Sequence, residues 1–182
     1  MAALRAAVFA LVNDEVLVGF PADTTDRTDE DTGLPLSTGS ITNAALGYIH
    51  DTGMPEQNIP ARPFMLPGMR NAEDNVARIL VQAAKSVLTE RQPRKVTQYL
   101  HRAGLAAQVA IRRKINEGIP PPLAESTLRE RARRGRKGAK KELVQRAEGI
   151  AASTEFAKPL IDTGQLRNAV NYVIRKRKLR RK

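Results

Sequence analysis

The most regular run of apolar positions lies between residues 71 and 91, where Val76, Ile79, Leu80, Ala83, Ala84, Val87 and Leu88 recur at helical spacing. This predicts a helix that buries that face. Asn71 followed by Asp74 suits a capping pair, and Glu73 and Asp74 suit the positive end of a helix dipole. A second helix is expected from about Arg94 to Glu117, with Val96, Leu100, Ala103, Ala107 and Ala110 as its stripe and Gly118 as its stop. The small residues of that stripe permit close helix–helix approach.

The two ends of the chain carry a period of two instead. Residues 6–20, AAVFALVNDEVLVGF, predict a β-hairpin that turns at Asn13-Asp14, with Val16, Val18 and Phe20 on one face and Leu17 on the other. Near the C-terminus, Val170, Tyr172 and Ile174 alternate with Asn171, Val173 and Arg175, which predicts a strand after a turn at Asp162-Thr163-Gly164.

The segments between are shorter or interrupted. NAALGYIHDT, residues 43–52, predicts a short helix capped by Asn43 and stopped by Gly53. MPEQNIPARPFMLPGM is broken by proline and glycine and reads as extended chain and turn, with Phe64, Met65 and Leu66 as its buriable residues. Pro120, Pro121 and Pro122 impose an extended strut. A short basic helix is expected around Ala124–Arg134, then a flexible basic linker at 133–141 (RRGRKGAKK) and another helix at 142–152. Residues 21–42, rich in Asp, Thr, Gly, Pro and Ser, read as a long exposed acidic loop that orders against a partner. The expected architecture is a single α+β domain over 1–182: a small antiparallel sheet, made from the N-terminal hairpin and the C-terminal strand, packed on two long helices.

Composition narrows the class. With 41% hydrophobic but only 4% aromatic residues among 182, the core has to be built from Ala, Val, Leu and Ile. No apolar run approaches the roughly 18 residues of a membrane span, so no membrane role is expected. The absence of Cys excludes disulfides, thiolate metal sites and thiol nucleophiles. The net charge of +12 is unevenly placed: residues 1–90 hold 6 basic and 12 acidic side chains, whereas residues 91–182 hold 25 and 7. Such polarity suits a protein that stacks head to tail with itself or meets two different surfaces.

The groupings needed for catalysis are missing. His50-Asp51 resembles a metal pair of some phosphohydrolases, but His101 is the only other histidine. No GxSxG elbow, GxGxxG or P-loop pattern occurs, and the carboxylates at 23, 26, 29, 30 and 31 lack EF-hand spacing. No catalytic residue, metal or cofactor is expected, and the chain is read as a non-enzyme. The segment 129–141 and the basic arm Arg175, Lys176, Arg177, Lys178, Arg180, Arg181 and Lys182 could neutralise phosphates, so a non-specific nucleic-acid-binding protein is the alternative. Neither segment interleaves aromatics for base stacking, and no helix-turn-helix or zinc module accompanies them.

Three segments carry a resemblance. NAALGYIHDTGMPEQNIPARPFMLPGM resembles the block of a short helix, E/D-x-G and P-x-R-P-F in tail-completion and neck proteins of tailed bacteriophages. PPLAESTLRERARRG is similar to the PL-x-x-ST block of the virion-morphogenesis proteins of Mu-like phages, and KPLIDTGQLRNAVNYVI to their PLIDTG-x-L block. Together they cover about 60 residues, in an order permuted relative to the family. A circular permutation, with the C-terminal strand beside the N-terminal hairpin, would account for that order. The resemblance implies a structural virion protein of the neck, the head–tail connector, assembled in the host cytoplasm. It implies a homo-oligomeric ring that contacts connector or adaptor and tail proteins, with DNA passing non-specifically through the lumen. Interface candidates are Arg62, Phe64, Asp162, Thr163, Gly164, Leu166 and Arg167. Arg62 could fork onto a carboxylate, Asp162 or Thr163 could cap a one-turn helix, and Leu166 could anchor that turn in the core.

Overall fold

The structure is a computed structural model that describes residues 5, 8–9, 12–21, 27–28, 32, 41–90 and 93–177. Among these the fold is α+β, with two long helices packed together beneath a two-stranded antiparallel sheet. In chain order the elements are β1 (Asp14–Gly19), α1 (Asn43–Thr52), a 3₁₀ turn (Pro55–Gln57), α2 (Met65–Glu90), α3 (Pro93–Asn116), α4 (Glu125–Arg133), α5 (Lys137–Ala147), α6 (Gln165–Ala169) and β2 (Asn171–Lys176).

The expected pairing of the two chain ends is present. β1 runs antiparallel to β2, with Val16 opposite Ile174, Leu17 opposite Val173 and Val18 opposite Tyr172. Val16 and Ile174 pack on Val87, Val96 and Leu100, while Leu17 and Val173 face outward. The N-terminal hairpin does not form: Val8, Phe9, Val12 and Asn13 are helical, and Asn13 Nδ2 donates to the Phe9 carbonyl one turn back at 2.9 Å. Among the described residues β1 pairs with β2 alone.

Residues 71–91 are only the latter part of a longer helix. α2 begins at Met65, so Asn71 and Asp74 lie in its interior and cap nothing. Pro67 is tolerated because it falls in the first turn, where the N–H has no intrahelical acceptor. The cap comes from outside: Asp51 Oδ1, in the last turn of α1, accepts from Phe64 N at 2.7 Å and Met65 N at 2.9 Å. Similarly, α1 is capped by Thr42, whose hydroxyl accepts from Ala45 N, and Asn43 is a buried first-turn residue. The expected linker at 133–141 is also corrected. Arg133 ends α4, residues 134–136 turn, and Lys137–Lys141 open α5. That helix holds because Ala139 packs with Leu123, Leu128 and Ala157 and Lys141 Nζ lies 3.8 Å from the centre of the Phe156 ring. The helix expected at 142–152 therefore ends earlier, at Ala147.

α3 is approached closely by α2 at Gly68 and by β2 at Gly104. A Cβ on Gly68 would lie 2.7 Å from Ile111 Cα, and one on Gly104 would lie 2.3 Å from the Tyr172 ring. The main core joins Phe64, Ile111, Ile115, Ile119, Leu160, Leu166 and Val170. Phe20 meets Phe64 edge to face at 6.4 Å. Most of the acidic loop at 21–42 lies outside the described residues; within it, Thr28 exchanges two hydrogen bonds with the Gln165 side chain, at 2.7 and 3.2 Å.

Candidate functional site

The three motif segments meet in one place, and two buried arginines join them. Arg62, of the PARPF segment, is 5% exposed. Its Nε and Nη2 both donate to the Pro121 carbonyl, at 3.1 and 2.9 Å, and its own N–H donates to the His50 carbonyl at 2.7 Å. The partner of the guanidinium is thus a carbonyl of the second segment rather than the expected carboxylate. The strut at 120–122 has no N–H to offer at its prolines but presents a carbonyl, and Arg62, in the extended chain before α2, supplies the donor that it needs. Phe64, two residues on, is wholly buried and anchors the core.

Arg131 makes the second junction. It projects from the same face of α4 as Leu128 and is 9% exposed. Nη1 donates to the carbonyls of Lys158 and Ile161 at 3.0 and 2.8 Å, and Nη2 donates to that of Pro159 at 2.9 Å. The PLIDTG segment is thereby wrapped around a guanidinium of the second segment. Asp162 closes the knot: Oδ2 lies 2.9 Å from Arg134 Nη2, Oδ1 lies 3.0 Å from Arg136 Nε, and Arg131 Nε is 3.9 Å away. Burial pushes the Arg131 guanidinium below its ordinary value, and the Asp162 carboxylate opposes that shift.

The turn after Asp162 follows from its residues. Gly164 takes φ +84°, the left-handed region that glycine enters without strain. Thr163 Oγ1 accepts from Gln165 N at 3.2 Å, and Leu166 is buried in the main core. Arg167 reaches Asn116 Oδ1 at 3.3 Å. Gln108 and Arg112 of α3 both donate to the Val170 carbonyl, at 3.1 and 2.8 Å, and set the start of β2. Of the expected interface residues, Arg62, Phe64, Gly164 and Leu166 therefore serve the fold, while Thr163 is exposed.

His50 borders this junction. Its ring is pushed below the usual histidine value by burial, then by the charges of Arg62 and Arg131, and its Nδ1 is buried without a hydrogen-bond partner. A cleft of about 260 Å³ opens beside it, lined by Arg27, Arg131, Arg134 and Asp162. Asp51 is committed to the α2 cap, so the His50-Asp51 pair is divided between two structural tasks. Among the described residues, no three carboxylates or histidines come together in a group able to hold a metal ion.

The basic arm begins inside the sheet rather than beyond it. Arg175 Nε lies 2.7 Å from Glu15 Oε1, and Lys176 pairs with Asp14. The chain's acidic and basic ends thus neutralise each other at this point. Lys178, Arg180, Arg181 and Lys182 lie outside the described residues.

Sequence reasoning missed Asp51 as a cap and Arg131 as a hub. Arg131 was concealed in a basic run, although its spacing of three from Leu128 places it on the buried face of α4. No protein family, curated protein or solved structure matches the chain. Among the described residues, no helix is long and apolar enough to cross a membrane.

Proposed function

We propose that this chain is a structural subunit of the neck of a tailed bacteriophage, acting at tail completion through a ring-like homo-oligomer and carrying out no catalysis. The observation that supports this reading most is the convergence of the three motif segments. Residues 43–69, 121–135 and 158–174 are far apart in sequence, yet Arg62 ties the first to the second and Arg131 ties the second to the third. The segments that carry the resemblance thereby form one connected scaffold, which supports reading them as one unit. On this reading the scaffold works by the surfaces it holds in place.

The charged surface fits docking to protein better than a grip on DNA. On α4, Arg129 pairs with Glu125 and Arg133 with Glu130, and the first pair of the arm is spent on Asp14 and Glu15. These cations are partly neutralised before any phosphate arrives.

The test is electron microscopy of virus particles from cells that produce the chain, with the chain tagged for localisation. The expected result is density for several copies at the head–tail junction, and tailless, DNA-filled heads when the chain is withheld. Its absence from particles, together with salt-dependent binding of the isolated chain to random duplex DNA, would establish the nucleic-acid alternative instead.

A further inference from the structure

The cleft beside His50 holds more positive charge than its own walls balance. The guanidinium groups of Arg27, Arg131 and Arg134 line it together with the single carboxylate of Asp162, an excess of two positive charges. His50 adds none, because burial, and then the charges of Arg62 and Arg131, hold its ring below the ordinary histidine value. Asp162 is moreover shared with Arg136, at 3.0 Å.

The three arginines differ in what they have left to give. Arg131 has spent its Nη donors on the carbonyls of Lys158, Pro159 and Ile161, and Arg134 pairs with Asp162 at 2.9 Å. Arg27 is half-buried, no carboxylate pairs with it among the described residues, and its Nε is buried without an acceptor. His50 Nδ1, on the opposite element, is likewise buried without a partner. A half-buried cation beside two others is costly to hold unless an anion offsets it.

Arg27 is nevertheless fixed in place. Thr28, its neighbour in the chain, donates its N–H to Gln165 Oε1 at 3.2 Å, and its carbonyl accepts from Gln165 Nε2 at 2.7 Å. Gln165 follows the turn at Gly164 and precedes the core residue Leu166. The turn that anchors Leu166 therefore also sets Arg27 at the cleft.

We propose that this cleft binds a phosphoryl group, as free phosphate or as a small phosphate monoester, held by the Arg27 guanidinium in the field of Arg131 and Arg134. Charge selects the ligand. A phosphoryl group carries close to two negative charges above its second ionisation, which matches the excess, whereas a carboxylate or a phosphodiester leaves one cation unanswered. Geometry agrees, because phosphate oxygens accept from a guanidinium fork in pairs. The volume of about 260 Å³ is smaller than the about 300–1,000 Å³ of clefts for drug-sized molecules, and so suits a small group. The site is separate from the surfaces by which the chain would assemble, and its test does not rely on the neck reading.

The probe is inorganic phosphate, titrated into the full chain by calorimetry above its second ionisation, with ionic strength held constant by sodium chloride. One phosphate per chain is expected. Arg27→Ala should weaken binding about tenfold, the loss of one charge-assisted contact. Gln165→Ala should weaken it less, because the guanidinium remains but is no longer held. Arg78→Ala, on an exposed face of α2, should bind as the wild type does. The wild-type chain gives a second readout, since it has only two histidines. The ring resonances of His50 should move with phosphate, while those of His101, which packs on Tyr172 and does not line the cleft, should stay. Glycerol phosphate separates the two sources: equal affinity assigns the site to free phosphate, and tighter binding assigns it to a monoester. The proposal is overturned if chloride alone reproduces the binding, if Arg27→Ala binds phosphate as the wild type does, if the His50 resonances do not move, or if random duplex DNA displaces the phosphate and so marks the cleft as a contact for nucleic-acid backbone.

Discussion

The Arg62 guanidinium and the Pro121 carbonyl, 59 residues apart, are joined by two hydrogen bonds from one side of the fork. This contact fixes the strut after α3 against the chain that leads into α2. It also explains why an arginine is buried here at all: a planar fork keeps its charge while spending its donors on carbonyl oxygen.

Arg62→Ala leaves the Pro121 carbonyl without its donor and empties the space beside it. The expected loss is about 1.5–3 kcal/mol, the range for hydrogen bonds to a charged group. Arg62→Lys retains the charge but not the fork and should recover only part of the loss. Urea unfolding of the three proteins checks this.

Gly68→Ala tests the helix contact through its sign. At an uncrowded helical position Ala stabilises by about 1 kcal/mol relative to Gly. Here the new Cβ would meet Ile111 Cα at 2.7 Å, and backbone cannot step aside. A net loss of about 1–3 kcal/mol is expected. A gain in the melting temperature would show that α2 and α3 are not this close.

Acid should weaken the fold through two buried groups. His50 is held below its ordinary value of 6.5 by burial and by Arg62 and Arg131, so the unfolded chain binds the proton more readily. Its contribution is complete above 6.5 and is lost as pH falls from there toward the folded value. Glu142 is almost fully buried. Burial alone would raise its carboxyl, but hydrogen bonds from Ser153 N, Ser153 Oγ and Arg146 Nε overcome this and hold it below its ordinary 4.5. Its contribution is complete above 4.5 and disappears as pH drops through the folded value. His50→Gln should remove the first decline and Glu142→Gln the second, measured by unfolding free energy against pH.

Asp162→Asn would leave Arg131, Arg134 and Arg136 without their shared carboxylate. We expect a loss of about 2 kcal/mol, moderated by the partial exposure of the site. Added salt should narrow the gap between variant and wild type, because it screens the repulsion among the three cations. Thermal unfolding over a salt series provides the measurement.

Local pattern alone reveals the two long helices and the two strands, one beside Asn13-Asp14 and one after the DTG turn. Each rests on a repeat within a short window: Ile79, Ala83 and Val87 along α2, Val96, Leu100 and Ala103 along α3, and Val16 and Val18 beside Tyr172 and Ile174 in the sheet. These periods are imposed by helix and strand geometry, so they show before any tertiary contact is known. Tertiary structure decided what depends on a partner remote in the chain. Asp51 moved the start of α2 back to Met65, because the first N–H groups of a helix take whatever acceptor the fold supplies. Ala139, packed on Leu123 and Leu128, turned an apparent linker into α5. Val8, Phe9 and Val12, expected in a hairpin strand, are helical and exposed. Arg62 and Arg131, which local pattern cannot tell from surface arginines, became buried junctions because carbonyls from distant turns surround them. Charge and polarity are properties of a residue, whereas burial and pairing belong to the folded chain around it.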